Sequence, residues 1–197
     1  DARIIYFVQR AADNDLFLND VMASYTEDAQ APVTTTLLYV YYVLAKFFGL
    51  GFLMLGKILG IALFLLAVLY AYKLGTVINK RSAWLFAIII IFGLGVQWSV
   101  FSGGLSRAFG YPLFFAFLYY AMNDKNLHVT IVLVLMALFY PPILLLSLVA
   151  YGISAIQKRK FLALMGNSAI PLVILLVSFI NKKNFGQMIT LREAIMM

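Results

Sequence analysis

The sequence contains no cysteine, which excludes a disulfide framework and a thiolate metal site and leaves the redox compartment open. Charge is scarce as well: 12% of the 197 residues are Asp, Glu, Lys or Arg, where a soluble domain carries about 25%. There is one histidine, His128. Neither a GxxxxGK[ST] run nor a dinucleotide-binding glycine fingerprint occurs, so a nucleotide has no P-loop or Rossmann turn to sit on. Acids thin out along the chain, and after Asp28 only Asp124 and Glu193 follow. No initiator Met or signal peptide opens the sequence. It starts abruptly at Asp1 and stops inside an amphipathic stretch over 189–197, which reads as a piece of a longer protein.

Hydrocarbon is abundant. The chain is 64% hydrophobic with a mean hydropathy of +0.96, an excess that a soluble core cannot absorb, because much of a chain this size stays on the surface. Lipid is the natural solvent for such a surface. The net charge is +7, from 15 bases and 8 acids. No basic stripe with interleaved aromatics accompanies it, so basic loops beside membrane spans explain it better than a nucleic-acid partner does.

These features predict an all-α fold: a polytopic transmembrane helical bundle with an outer-face loop containing short interfacial helices. Residues 1–48 form the outer-face loop, 49–181 the bundle, and 182–197 the start of a further outer-face segment. Six of the eight acids (Asp1, Asp13, Asp15, Asp20, Glu27 and Asp28) fall in the first segment. The Thr34–Thr36 run offers an N-cap, and the aromatic-rich stretch 37–48 suits a helix at headgroup level. Gly49 and Gly51 end it. Spans are expected at 52–72, 83–101, 108–122 and 161–180, the last with a kink at Pro171. Between the last two, Pro141-Pro142 removes two backbone donors and splits 127–157 into helices at about 127–139 and 142–156. The loops at 73–81, 123–126 and 158–160 hold seven bases against one acid, and the other side holds eight bases against seven acids. The first set is therefore cytoplasmic and the acidic segment outside.

Candidate chemistry falls on that outer side. Carboxylates at a membrane surface can act as a general base, ligate a hard cation or meet a cationic substrate, though a solvated loop also needs acids simply to stay wet. Asp1, with Arg3 two residues on, would hang at the membrane boundary. Asp20 follows Leu16-Phe17-Leu18-Asn19, whose apolar members could pin the loop. Lys57 and Arg107 are costly in a span unless they face a cavity or snorkel to phosphate headgroups. Arg107 follows Gly103-Gly104, where backbone amides and a guanidinium could together hold a phosphate. Tyr140-Pro141-Pro142 is irregular backbone, tolerated at membrane depth where it lines a cavity or is buried in protein. His128, at a helix start on the cytoplasmic side, reads as an interface residue.

With those residues in place, a family likeness can be stated. Asp1-Ala-Arg3, Leu16-Phe17-Leu18-Asn19-Asp20, the Gly104-Leu-Ser-Arg-Ala-Phe109 run, Leu138-Phe139-Tyr140-Pro141-Pro142 and Phe185-Gly186-Gln187-Met188-Ile189-Thr190 together resemble the GT-C superfamily of membrane glycosyltransferases, in uncharacterised bacterial membrane proteins of that type. The resemblance implies a lipid-linked (polyprenyl-phosphate) sugar donor, an acceptor on the outer face of a bacterial inner membrane, and an inverting transfer. It also implies a catalytic acid at Asp1, with Asp20 second, and a substrate site of Arg107, Lys57, Arg3 and Tyr140. No resident cofactor is implied beyond a divalent metal ion, which some members use. Many members carry paired acids in this loop, and here a single one stands at the start of the chain. Two other classes fit the residues themselves: a transporter or flippase, whose sites are also built at broken helices, and a non-catalytic assembly protein.

Overall fold

A computed structural model describes residues 32–96, 101, 106–158 and 161–180. Every regular element among them is helical. In chain order these are α1 (Pro32–Phe48), α2 (Phe52–Ile78), a 3-10 turn (Lys80–Ser82), α3 (Ala83–Val96), α4 (Ser106–Met122), α5 (Asn126–Phe139), α6 (Pro141–Lys158) and α7 (Phe161–Ile180). The all-α expectation holds. The acidic segment 1–31 and the stretch 181–197 lie outside the described residues.

Several boundaries differ from the sequence reading. Helix α1 starts at Pro32, ahead of the expected Thr cap, because the fixed φ of proline suits the first helical position and its missing N–H would have been free there anyway. It ends in a left-handed Gly49 (φ 63°), with the Leu50 amide bonded back to the Ala45 carbonyl at 3.3 Å, a Schellman closure. Helix α2 continues past the expected stop at residue 72 and takes Lys73 into its last turns. It stops at Asn79, whose amide bonds the Gly75 carbonyl at 2.8 Å and whose side chain accepts from the Arg81 amide at 3.0 Å. Helix α4 starts at Ser106, so Arg107 belongs to a helical first turn and not to a loop.

The split at the double proline is borne out. One residue, Tyr140, separates α5 from α6. Its amide closes α5 onto the Met136 carbonyl at 2.9 Å, and its carbonyl accepts from the Ile143 amide at 3.2 Å to open α6. Pro141 and Pro142 then occupy the first helical positions, where absent N–H groups cost no hydrogen bond. Pro112 and Pro171 lie inside α4 and α7 and are fully buried.

Helices α4 and α5 form the centre. Helix α2 packs on α4 and α3 on α2, while α7 packs on α5, and α1 and α6 fill the flanks. The buried face of α2 mixes small residues (Gly56, Gly60, Ala67, Ala71 and Gly75) with Leu55, Leu63 and Leu74. Gly75 is obligatory at the hairpin to α3, since a Cβ there would meet the backbone Cα of Ala83 at 2.9 Å.

The outer surface is aliphatic. Leu65 and Leu69 on α2, Ile89 and Phe92 on α3, Val149 and Ile153 on α6, and Ile170 and Val173 on α7 all point outward. The interior holds large side chains as well, Phe101, Phe117, Leu133, Met136 and Leu144 among them, together with Ala67, Ala116, Ala137, Ser147 and Asn167. Large aliphatics outside and small residues between helices are what lipid solvation favours. Among the described residues one helix, over Met54–Ile78, is long and apolar enough to cross a membrane, and 33% of its apolar 18-residue window is buried. The apolar stretches of α5, α6 and α7 are shorter.

Candidate functional site

Contacts between helices (Gly75 with Ala83, Tyr70 with Tyr120, Phe109 with Phe139, and Asn167 with Thr130 and Tyr151) make successive helices alternate in direction from α2 to α7, which gives the bundle two chemically different ends. At one end are the start of α2, the residue-101 region, the start of α4 and the α5–α6 break. Phe101 is fully buried, with its ring 5.6 Å from Phe64 of α2 and 5.7 Å from Tyr111 of α4. Phe109 stacks on Phe139 with centroids 4.3 Å apart and planes at 8°. Tyr140 lies over Gly110 so closely that a Cβ at that position would sit 3.0 Å from its Cδ1. The break at Tyr140 is thus seated on the first turns of α4.

Lys57 stands seven residues before Phe64 in α2 and Arg107 four residues before Tyr111 in α4, about 10 Å and 6 Å further toward this end at helical rise. Both side chains are exposed, and Tyr140 is half-buried. The structure therefore brings Lys57, Arg107 and Tyr140 to one end of the bundle, with no contact among the three that would lock them together. Arg107 also lies on the first turn of α4, where the positive end of the macrodipole adds to its charge toward an anion. Asp1, Arg3 and Asp20 lie outside the described residues, as do the glycines at 103 and 104. Among the described residues no group of three His, Asp or Glu could hold a metal ion. A hard divalent ion wants several oxygen donors, and the described part of this end offers cations, which do not fit it.

The opposite end holds features that the sequence reading passed over. Asn167, 8% exposed in the middle of apolar α7, accepts from Thr130 Oγ1 of α5 at 3.0 Å and donates through Nδ2 to Tyr151 Oη of α6 at 2.7 Å and to Asn126 Oδ1 of α5 at 3.5 Å. A cavity of about 20 Å³ lined by Asp124, Asn126, Tyr151 and Ser154 lies beside it, room for about one water with polar partners. Beyond it, Tyr70 and Tyr120 share a hydroxyl hydrogen bond at 2.8 Å. Lys73 Nζ sits 5.2 Å and 5.8 Å from the ring centroids of Tyr70 and Tyr119, and the His128 ring lies 4.7 Å from that of Tyr120. His128 is thus exposed, as an interface residue would be, but it is also part of an aromatic cluster. A lone Asn in an apolar run was the available signal for the first group; for the second it was the spacing of Tyr70 and Lys73 on one helical face. In α1, burial pushes the Tyr41 phenol up to about 12.

Comparison with protein-family models, with curated proteins and with solved structures finds no match.

Proposed function

We propose that this chain is part of a polytopic membrane glycosyltransferase of GT-C type, which moves a sugar from a polyprenyl-phosphate donor to an acceptor on the outer face of a bacterial inner membrane. The observation that carries the proposal is the gathering of Lys57, Arg107 and the Tyr140 break at one end of a bundle whose outer surface is aliphatic. Such a transfer needs two things at the membrane boundary. A base must take the proton of the acceptor hydroxyl as it attacks the sugar, and cations must stabilise the phosphate that leaves. Asp1, with Asp20 second, supplies the base in this reading. Arg107 holds the phosphate with a guanidinium fork suited to it, Lys57 adds charge and Arg3 completes the basic rim. The Tyr140 ring walls the site where the helix is interrupted.

The multi-pass placement is supported by the outward aliphatics on α2, α3, α6 and α7. The test uses the full-length protein in proteoliposomes with a radiolabelled polyprenyl-phosphate sugar. Arg107→Ala should cut transfer by about 10²-fold or more, the loss typical of removing one charge-stabilising donor, and Asp1→Asn should abolish it. Unchanged cell-surface glycans in both variants would sink the transferase reading. Uptake of a solute in place of sugar transfer would favour the transporter.

A further inference from the structure

From the end of the bundle opposite Lys57 and Arg107, a groove of about 220 Å³ runs between α2, α4 and α5 toward the middle of the bundle. Its walls include Leu66, Leu113, Ala116, Ile131 and Leu135, and its polar rim is Tyr70, Tyr120 and His128. Leu66 and Ile131 belong to the exposed apolar surface, 38% and 49% exposed, so the groove opens onto the face that lipid would cover. From His128 to Leu135 it extends about 10 Å along α5 at helical rise.

The charge at its rim has one sign. Lys73 is held over Tyr70 and Tyr119, and since its ammonium has three donors, contact with ring faces leaves N–H groups free for an oxyanion. Lys80, Arg81 and Lys125 lie at the same end, all exposed. The acid among the described residues there is Asp124, exposed in the α4–α5 turn. The two hydroxyls of the Tyr70–Tyr120 pair satisfy one bond between them and keep acceptor and donor capacity for a ligand.

We propose that this groove seats one acyl chain of an anionic phospholipid, with its phosphate held by Lys73 and His128 over the Tyr70–Tyr120 pair. An apolar trough with a cationic, hydroxyl-bearing rim at one end matches an amphiphile with a single anionic head. A peptide helix would need apolar anchors along a longer track, and a free anion would have no use for the trough. By the charge bias of the loops this end faces the cytoplasm, where the leaflet surface is anionic. The inference rests on the membrane placement proposed above and is independent of the sugar chemistry.

The experiment places the full-length protein in phosphatidylcholine vesicles with trace phosphatidylglycerol or phosphatidylcholine, each spin-labelled on an acyl chain, and reads the motionally restricted fraction by electron paramagnetic resonance. The expected preference for phosphatidylglycerol is about fivefold, the factor that ~1 kcal/mol for one basic residue near an anionic surface gives. It should fall toward unity in Lys73→Gln, and Ala116→Phe should lower the restricted fraction for both lipids by filling the trough. Inorganic phosphate should not displace the labelled lipid. Equal restriction of the two lipids by the wild-type protein overturns the proposal without reference to any variant, and so does displacement by inorganic phosphate, which would make this a free-anion site. Flotation after carbonate extraction separates the two levels: a protein that fails to float loses the membrane placement itself, whereas one that floats without lipid preference loses only the lipid site.

Discussion

Gly75 and Gly110 show how a single hydrogen atom in place of a side chain sets the approach of two elements. At Gly75 a Cβ would lie 2.9 Å from Ala83 Cα and 3.0 Å from Ala83 O, both backbone atoms that cannot swing away. Gly75→Ala must therefore push α3 off α2, at a cost of ~1–3 kcal/mol, the usual range for overpacking. A thermal melt of the detergent-solubilised protein reads it as a clear fall in midpoint, and an unchanged midpoint would mean that the hairpin is looser than described. At Gly110 the added Cβ would meet the Tyr140 ring at 3.0 Å, which can tilt. Gly110→Ala should therefore cost less than Gly75→Ala, and pairing it with Tyr140→Leu should recover part of the loss. A double-mutant cycle that gives strict additivity would deny the contact.

At the scale of elements, the buried network on Asn167 decides how α5, α6 and α7 hold together. Hydrogen bonds between helices in lipid average about 0.6 kcal/mol and reach ~1–2 kcal/mol in model peptides, but orphaning their partners costs more than the bonds themselves are worth. Asn167→Ala takes a partner from two half-buried hydroxyls, of which Thr130 keeps its bond to the Asn126 carbonyl and Tyr151 faces the space left behind, and should destabilise by ~1 kcal/mol. The triple replacement Thr130→Val, Tyr151→Phe, Asn167→Leu should recover most of that, since no polar group is then left unpaired. Ser147 is the opposite case: its Oγ is buried with no hydrogen-bond partner. Ser147→Ala should be neutral or stabilising by up to ~1 kcal/mol, and a marked loss would mean that the hydroxyl has a partner of its own. Most elements were legible in the sequence because spans of apolar residues and paired prolines leave strong marks. The α5–α6 break was expected and found, since proline chemistry is local. The extension of α2 through Lys73 was not legible, because it depends on ring faces of Tyr70 and Tyr119 from two different helices. The Asn167 network was marked in the sequence by a lone Asn in an apolar run, but its partners, 16 to 41 residues away, were not legible. At the candidate site the sequence singled out Lys57, Arg107 and Tyr140, but their shared end follows from the alternating helix directions, and the role of Gly110 under Tyr140 from tertiary contact.

For the whole molecule, the absence of cysteine that first narrowed the chemistry becomes an experimental advantage. Within these 197 residues every thiol can be placed by design, so accessibility there reports one position at a time. Two independent features argue for a polarised bundle: the aliphatic surface of α2, α3, α6 and α7, and the separation of Lys57, Arg107 and Tyr140 from the end that carries Arg81, Asn123 and His128. If the bundle lies in a bilayer with its bases mostly inside, cysteines at Lys57 and Arg107 should label with a membrane-impermeant maleimide in intact cells. Those at Arg81 and Asn123 should label only after the membrane is opened. A cysteine at Ile89 or Val149, on outward aliphatic positions, should react slowly in both conditions, because thiolate formation is suppressed in hydrocarbon. Uniform rapid labelling of all six would describe a water-solvated helical protein and would remove the membrane reading altogether. The reversed pattern, with Arg81 and Asn123 outside, would keep the bundle in the membrane but put its cationic Arg107 end in the cytoplasm. There a nucleotide-linked donor would be available and a polyprenyl-linked one unnecessary. For the transferase proposed above, the labelling pattern therefore tests the substrate class as well as the topology, because the face on which the Arg107 end opens would decide which activated sugar could reach it.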